Sequence, residues 1–575
     1  MSEVKDKRAL AMIEAWNRLD TIRRDTRGSS DGLSFFEARK VATGYAQHRV
    51  FNGGFGAWCG GWGTYKLYDS TVVMAVRTSL NGFMSYLISP TQRWFKLTAG
   101  GEVKNGFKAD DIYGLNDYFE ICQQEILKTF NNTNFYSSIR TFIADGMVQG
   151  TSALLIHDHG DGDSPVCYRT IDPAEFCIDE DIDGNVNVLF RQFDLRLDKA
   201  YKRFGERLPR ECIEAYKKGD SSKRYEFIEG VFPQGWLLDA DGAEVGLSKP
   251  SARDSGFLYF VVMRDFGIVV DEGAYRDFPF AVQRWERVSE DTAYGVGLVM
   301  RLLPEIKTLN KNMKLQLLAN EKLVNPPITV PMMMRDFDAR PGAVNFGDPN
   351  QAPTPLRTVQ NYDGFAAENA RLRQVIYEGM YSTLFDTLMR TQNAYRTATE
   401  VNELKSEALS LMAATLNNLQ AEVIIPLIKR TYKIMKEHGL LPEPPKEYIE
   451  LFGEELHIEL EGPLVARMRE YVQKEGLTSG LAFVSQVAQM TGDPEVLLNV
   501  DIDEAVRQGA TANGLPQAIL REKQDVLNLK RQQQAQAQQA QQVQEQEAQS
   551  RMMMNLGNAG VNVAEAYGLP SKGGY

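Results

Sequence analysis

The apolar positions of this chain change period several times. Near the start they recur at helical spacing: Met12, Ala15, Trp16 and Leu19 share one face, and Arg23, Arg24 and Arg27 follow as a basic turn. Residues 1–50 therefore read as amphipathic helix. A loop dense in glycine and aromatics, Phe51 to Gly63, comes next; its rings need a surface to cover, so it is expected to dock on a neighbour. From Ser70 to Leu87 a helical stripe returns through Val72, Val76, Leu80, Phe83 and Leu87. Pro90 closes it, Arg93-Trp94-Phe95-Lys96-Leu97 alternates like a strand, and 111–150 is helical again. Between about 153 and 290 the texture becomes short β runs broken by turns: Ala153–Ile156, Val186–Phe190 and Phe257–Val262. This predicts a β-rich or mixed subdomain.

After Gly297 the helical period resumes. Leu302, Ile306, Leu309, Met313 and Leu317 form one stripe, and Lys307, Lys311 and Lys314 occupy another face. Asn325-Pro326-Pro327 stops that helix. Prolines at 326, 327, 331, 341, 349, 353 and 355 make 325–364 an extended or small β excursion, because no helix interior tolerates them. A second helix over 365–388 should pair with the first as a stalk carrying a small tip. Residues 389–398 are polar and aperiodic, hence a loop. A long helix comes after it, with Val401, Leu404, Ala408, Leu411, Thr415, Leu419 and Val423 on one side until Gly439, a rod of about 58 Å that Pro426 should kink. Further helices are expected over 463–515. From Arg531 to Ser550, eleven of twenty residues are Gln, giving a helix with almost no apolar stripe, which side-by-side copies would stabilise.

A length of 575 residues exceeds what one core supports, so several packed units are expected. The net charge of −12 argues against tight, whole-surface binding of nucleic acid, since phosphate neutralisation supplies most of that affinity. No run approaches the ~20 apolar residues of a bilayer span. The first nineteen residues lack the apolar core of a signal peptide, so a soluble chain made in the cytosol is expected. Five Cys, none in CxxC spacing, read as reduced thiols rather than a disulfide or zinc framework.

The candidate chemistry is sparse. Asp179-Glu180-Asp181-Ile182-Asp183-Gly184 matches the first half of a calcium loop, but Phe190 stands where the bidentate Glu belongs, and a solvated hairpin turn is the better reading. His157-Asp158-His159 reads as a polar loop after a strand rather than a metal site. No GxxxxGK[ST], strand-borne GxGxxG or GxSxG occurs, so neither an enzyme nor a cofactor is expected. The lysines at i, i+4 and i+7 suit a cationic ladder, a solvated face, or ion pairs with Glu368, Glu378 or Asp386 on the neighbouring helix.

Three stretches resemble the portal protein (head-to-tail connector) of short-tailed bacteriophages. The first runs from Tyr68-Asp69-Ser70-Thr71 through Gly82-Phe83-Met84 and Ser89-Pro90 to Trp94-Phe95-Lys96-Leu97. The second is Asn325-Pro326-Pro327 closing a long helix. The third is Arg396-Thr397-Ala398-Thr399-Glu400-Val401 opening another, with Ile425-Pro426-Leu427 beyond it. Their order matches the family over roughly residues 60–440.

The resemblance implies an α+β, predominantly α-helical portal-type fold and a ring, usually of twelve subunits, at one capsid vertex. DNA enters and leaves through its channel without sequence-specific contact. An ATP-driven terminase, a tail adaptor and tail proteins, and major capsid and scaffolding proteins are the implied partners; no membrane is involved. Carried onto this chain, 1–297 is the N-terminal wing region, 298–324 and 365–388 the stem, and 325–364 the clip. The tunnel loop is 389–398, the long wing helix 399–438, the helical crown region 439–515 and the barrel and tail 516–575. Lys307, Lys311, Lys314, Arg390, Gln392, Asn393 and Arg396 become channel candidates, and Pro331, Met332, Arg335, Arg340 and Phe346 candidates for docking partners. The rival readings are an internal scaffold or core protein built on the Gln/Ala helix, and a metal-dependent nuclease using Asp179, Asp181 and Asp183.

Overall fold

The computed structural model describes residues 6–27, 34–43, 45–46, 63–64, 67–99, 109–160, 165–248, 256–287, 292–331, 363–389, 415–444 and 456–461. It also describes 337, 338, 340, 343–346, 350, 353–355 and isolated positions from 483 onward. The chain divides into a unit of residues 1–466 and a second of 467–575. All the helices, strands and contacts named below belong to the first. The expected Gln/Ala helix and crown helices fall almost wholly outside the described residues.

The first unit is a mixture of helix and strand. The expected α+β class holds, with a substantial antiparallel core beside the helices. Five strands, β6 (Phe176–Glu180), β7 (Val186–Arg196), β8 (Arg224–Pro233), β9 (Phe257–Met263) and β10 (Ile268–Tyr275), pair in sequence order as a meander. A three-stranded sheet places β4 (Thr151–Asp158) between β11 (Phe280–Arg284) and β5 (Val166–Ile171). β7 is buried continuously from Val188 to Asp194, the signature of a strand covered on both faces.

What covers those faces was partly visible in the period. Helix α1 (Lys7–Arg27) lays Met12, Ala15, Trp16 and Leu19, all buried, against Phe190, Phe232 and Phe260. The opposite face takes α6 (Leu197–Phe204) and α7 (Arg210–Lys217), whose Phe204 and Cys212 meet Phe227 and Met263. Phe176, Ile178, Leu189 and Val231 join Ala153, Ile171, Phe280 and Val282 in a third cluster that ties the two sheets together. Arg23, predicted as part of a basic turn, is instead buried: its guanidinium donates to the Ala174 and Phe176 carbonyls at 2.8 and 3.0 Å and so pins α1 to the start of β6.

Helices α2 (Ser34–Thr43), α3 (Thr71–Tyr86), α4 (Ala109–Asn132) and α5 (Phe135–Gln149) lie alongside. The predicted strand after Pro90 is β3 (Phe95–Ala99), which pairs with β14 (Leu456–Leu460); a two-residue bridge, β1 (Tyr45–Ala46) with β2 (Gly63–Thr64), precedes it. Trp94 is fully buried and stacks on Phe130 and Phe135. Gly150 ends α5 at φ +83, where a Cβ would collide with the Gly295 carbonyl oxygen, so both conformation and space require glycine.

The Asp179–Gly184 segment is the hairpin turn between β6 and β7. Asn185 N–H donates to the Asp181 carboxylate at 2.8 Å, and Phe190 packs on Phe232 and Trp236. Among the described residues no three His, Cys, Asp or Glu side chains come together, so Asp179, Asp181 and Asp183 do not form the cluster that the nuclease reading needs. Among the described residues no helix is long and apolar enough to cross a membrane.

Candidate functional site

The predicted stalk begins with a short helix, α8 (Leu298–Arg301), and continues as α9 (Leu303–Val324), with Pro304 in its first turn, where a missing N–H does no harm. Its partner α10 (Asp363–Gly379) runs back along it. The expected single helix over 365–388 is two helices: α10 stops at Gly379, Tyr381 adopts a left-handed φ of 58°, and α11 (Ser382–Met389) restarts. Ser79 of α3 sits at the break, its hydroxyl within hydrogen-bond reach of the Met380 carbonyl and 3.1 Å from Ser382 Oγ.

Burial along α9 changes halfway. Leu303, Ile306 and Leu309 are in the core with Leu372 and Ile376, but Leu317, predicted for the same stripe, is 50% exposed. Leu315, Leu318, Leu323 and Val324 are also exposed, the last at 79%. Thus the distal half of a helix about 33 Å long presents leucines to water. Chains in water rarely leave so much apolar surface on one helix uncovered.

The base of the hairpin is anchored by the Tyr68-Asp69 segment. The Asp69 carboxylate accepts the Thr71 N–H at 2.8 Å, starting α3, and the Arg373 guanidinium of α10 at 2.8 Å. Burial alone would raise this carboxyl, but Thr71 and Arg373 outweigh it and hold it below the usual range. Tyr68 N–H donates to Asn310 of α9 at 2.7 Å. One dipeptide thus grips both stalk helices. The adjoining Gly82 packs on α11, where an added Cβ would run into the Phe385 ring.

The three lysines do not behave alike. Lys307 forms an ion pair with Glu37 of α2, not with Glu368, Glu378 or Asp386. Glu368 is engaged by Arg371 and Glu378 by Gln374. Lys311 is exposed, and Lys314 lies over the Tyr68 ring, 6.0 Å from its centroid.

The proline-rich excursion opens with β12 (Ile328–Thr329) and returns as β13 (Thr354–Pro355), a two-residue antiparallel ribbon. Pro331 is half-buried at its margin. Arg340 and Asp338 form an exposed ion pair at 2.6 Å that lowers the Asp338 carboxyl, and Asn345 braces the same turn through Asp338 N–H and C=O. This leaves Phe346 89% exposed. Met332, Arg335, Arg390, Gln392, Asn393 and Arg396 lie outside the described residues, as does the predicted helix over 399–414.

From 415 the described chain is helical. Pro426 offers no N–H to the Glu422 carbonyl, and the chain answers with a π-helical turn, Gln420–Ile424, before α12 (Ile425–Glu437). The expected kink is thus a widened turn. On it, Glu422 accepts the backbone N–H and Nε of Arg284, both at 2.8 Å. The same guanidinium donates to Glu180 at 2.7 Å and to the Gly184 carbonyl at 2.9 Å. Only 5% of the Arg284 side chain is exposed. Sequence reasoning missed this hub and the Asp69–Arg373 anchor. Pro426 and the Tyr68-Asp69 motif were signals of position, not of partner.

The profile described as bacteriophage head to tail connecting protein matches residues 42–520. A probable portal protein of Bordetella phage BPP-1 is 26% identical over 487 residues, covering 82% of this chain and 83% of that protein. The portal protein of Salmonella phage epsilon15 is 24% identical over 473 residues, covering 81% and 82% respectively.

Proposed function

The chain belongs to the bacteriophage head to tail connecting protein family, and from that premise we propose how its parts serve the work of a portal. It is a phage portal protein, a virion component that joins head to tail and interacts with both as an oligomer. In our reading, copies close into a ring, of twelve in the commonest family arrangement, at one capsid vertex, after assembly in the host cytoplasm. α9 and α10 form the stem of a central channel, 325–364 the clip, and 389–398 the tunnel loop.

The observation that carries this reading is the set of exposed apolar side chains around the distal half of α9. Leu317 and Val324 share one side of α9 and Leu315 and Leu318 another, so copies on its two sides would cover them, and repetition of that contact encloses an axis. Lys311 and Lys314 then supply sparse positive charge toward the duplex, with Arg390, Gln392, Asn393 and Arg396 at the constriction, while Lys307 is committed to Glu37. Sparse charge suits a conduit, because each phosphate held must be released as DNA advances. Phe346, Arg340 and Pro331, with Met332 and Arg335, offer terminase and the tail adaptor a protruding apolar and cationic tip. Capsid and scaffolding proteins meet the wing. The role is structural, with ATP hydrolysis belonging to terminase.

Negative-stain imaging of the purified full-length protein tests the reading. Closed rings with a central hole are expected. A stable lone subunit under assembly conditions, or assemblies with a filled centre, would overturn it.

A further inference from the structure

A polar cleft of about 570 Å³ opens on the β subdomain between the end of β5 and the distal half of β7. Arg169, Arg191, Arg196, Lys199 and Arg224 line it with Asp172, Glu175 and Asp194, over a floor that includes Phe193 and Leu195. Each carboxylate has its own cation: Asp172 pairs with Arg39 at 2.7 Å, Glu175 with Arg191 at 3.0 Å, and Asp194 with Arg224. Arg196 is held by Asp198. Among the described residues Arg169 and Lys199 have no ion-pair partner, and both are exposed. The buried Arg191 guanidinium stands close enough to Arg169 to weaken its hold on a proton. Arg191 is already answered by Glu175 and, at 3.7 Å, by Glu229, so the exposed Arg169 and Lys199 are the cations left for an incoming carboxylate.

The same chain carries an object of the complementary shape. The β6–β7 turn projects Asp181-Ile182-Asp183, with Ile182 fully exposed and Asp183 without a hydrogen-bond partner among the described residues. This tip cannot reach its own cleft. β7 has eleven residues, and the two features sit toward its opposite ends, roughly 30 Å apart along a rigid strand. A knob at one end and a socket at the other is the head-to-tail arrangement that generates rings.

We propose that the Asp181-Ile182-Asp183 turn of one copy docks in the Arg169/Lys199 cleft of the next, its carboxylates between the two free cations and Ile182 against Leu195. This deepens the ring reading above and rests on it. The contact is a wing-to-wing one, separate from the stem.

Carbodiimide coupling of the assembled wild-type protein tests it directly. A zero-length amide between the Asp183 carboxyl and the Lys199 amine, found by mass spectrometry of the digest, is expected. Across ~30 Å it can form only between copies. In parallel, Asp183→Lys and Arg169→Glu should each raise the protein concentration for half-assembly roughly tenfold or more, and the double variant should return near wild type. Asp183 sits in an exposed turn, so its variant remains informative if Arg169→Glu fails to fold. Single variants that assemble like wild type, or a double variant no better than the worse single, would overturn the docking while leaving the ring intact. A wild-type protein that forms no ring fails the earlier reading before any variant is made.

Discussion

Replacing Arg284 with alanine should loosen two distant parts of the chain together. The guanidinium serves Glu422 on the π turn, Glu180 on β6 and the Gly184 carbonyl. In the variant Glu180 retains Arg287 at 3.1 Å, and Glu422 retains only the backbone N–H of residue 284. Removing one member of a buried ion pair costs about 3–5 kcal/mol, mostly the desolvation of the charge left behind. The retained contacts put Arg284→Ala near the lower figure, about 3 kcal/mol. A chain of this size does not unfold in one step, so the reading belongs at the element level. Hydrogen exchange followed by mass spectrometry should show protection falling roughly 100-fold, at ~1.4 kcal/mol per decade, in peptides covering 415–437 and 176–186 alike. Glu422→Ala should loosen the helix, and the double variant should cost clearly less than the two singles summed. Protection within threefold of wild type, or loss confined to the helix, would refute the hub.

Single contacts yield the remaining expectations. Asp145, on α5 beside the Arg39–Asp172 pair, has its carboxyl pushed from 3.8 up to about 7 by burial, with Arg39 opposing and Asp172 adding. The folded state therefore holds the proton more tightly, so stability from this group is full below about pH 4 and is lost as pH rises through 7. Asp145→Asn should be more stable than wild type at pH 8, by ~2–4 kcal/mol, with the difference vanishing near pH 4; parallel melting curves across pH would contradict this. Gly82→Ala should cost ~1–3 kcal/mol by overpacking against Phe385, and Phe385→Leu should recover most of it; an unchanged melting temperature would mean the helices are not pressed together there. Reversing Lys311 and Lys314 to Glu should leave rings intact while packaged DNA falls, whereas Lys307→Glu should act on the α2 contact instead; unaltered packaging by the first pair removes those lysines from the channel.

How much of this was legible in the sequence depended on the reach of the interaction. Met12, Ala15, Trp16 and Leu19 announced a buried face because helical spacing and burial there are the same fact. The β meander was readable in outline from Val186–Phe190 and Phe257–Val262. α6 and α7, eight residues each, are too short to build a period and were missed. The Tyr381 break was invisible because its contacts come from Ser79, some three hundred positions away. Lys307 was matched with the wrong acids for a similar reason: Glu37 is near only after α2 has docked. On α9, the period gave the helix and the buried Ile306 and Leu309 but said nothing of what would meet Leu317, since a single chain does not contain the answer.

That uncovered apolar surface shapes life before assembly. A newly made subunit carries Leu315, Leu317, Leu318, Leu323 and Val324 in open water, so every encounter with another sticky surface competes with the correct one. Correct closure and disordered clumping both accelerate with concentration, which leaves a window rather than an optimum at the highest yield. Synthesis slow enough to let copies find register should give intact particles, and a burst of overproduction should fill the pellet.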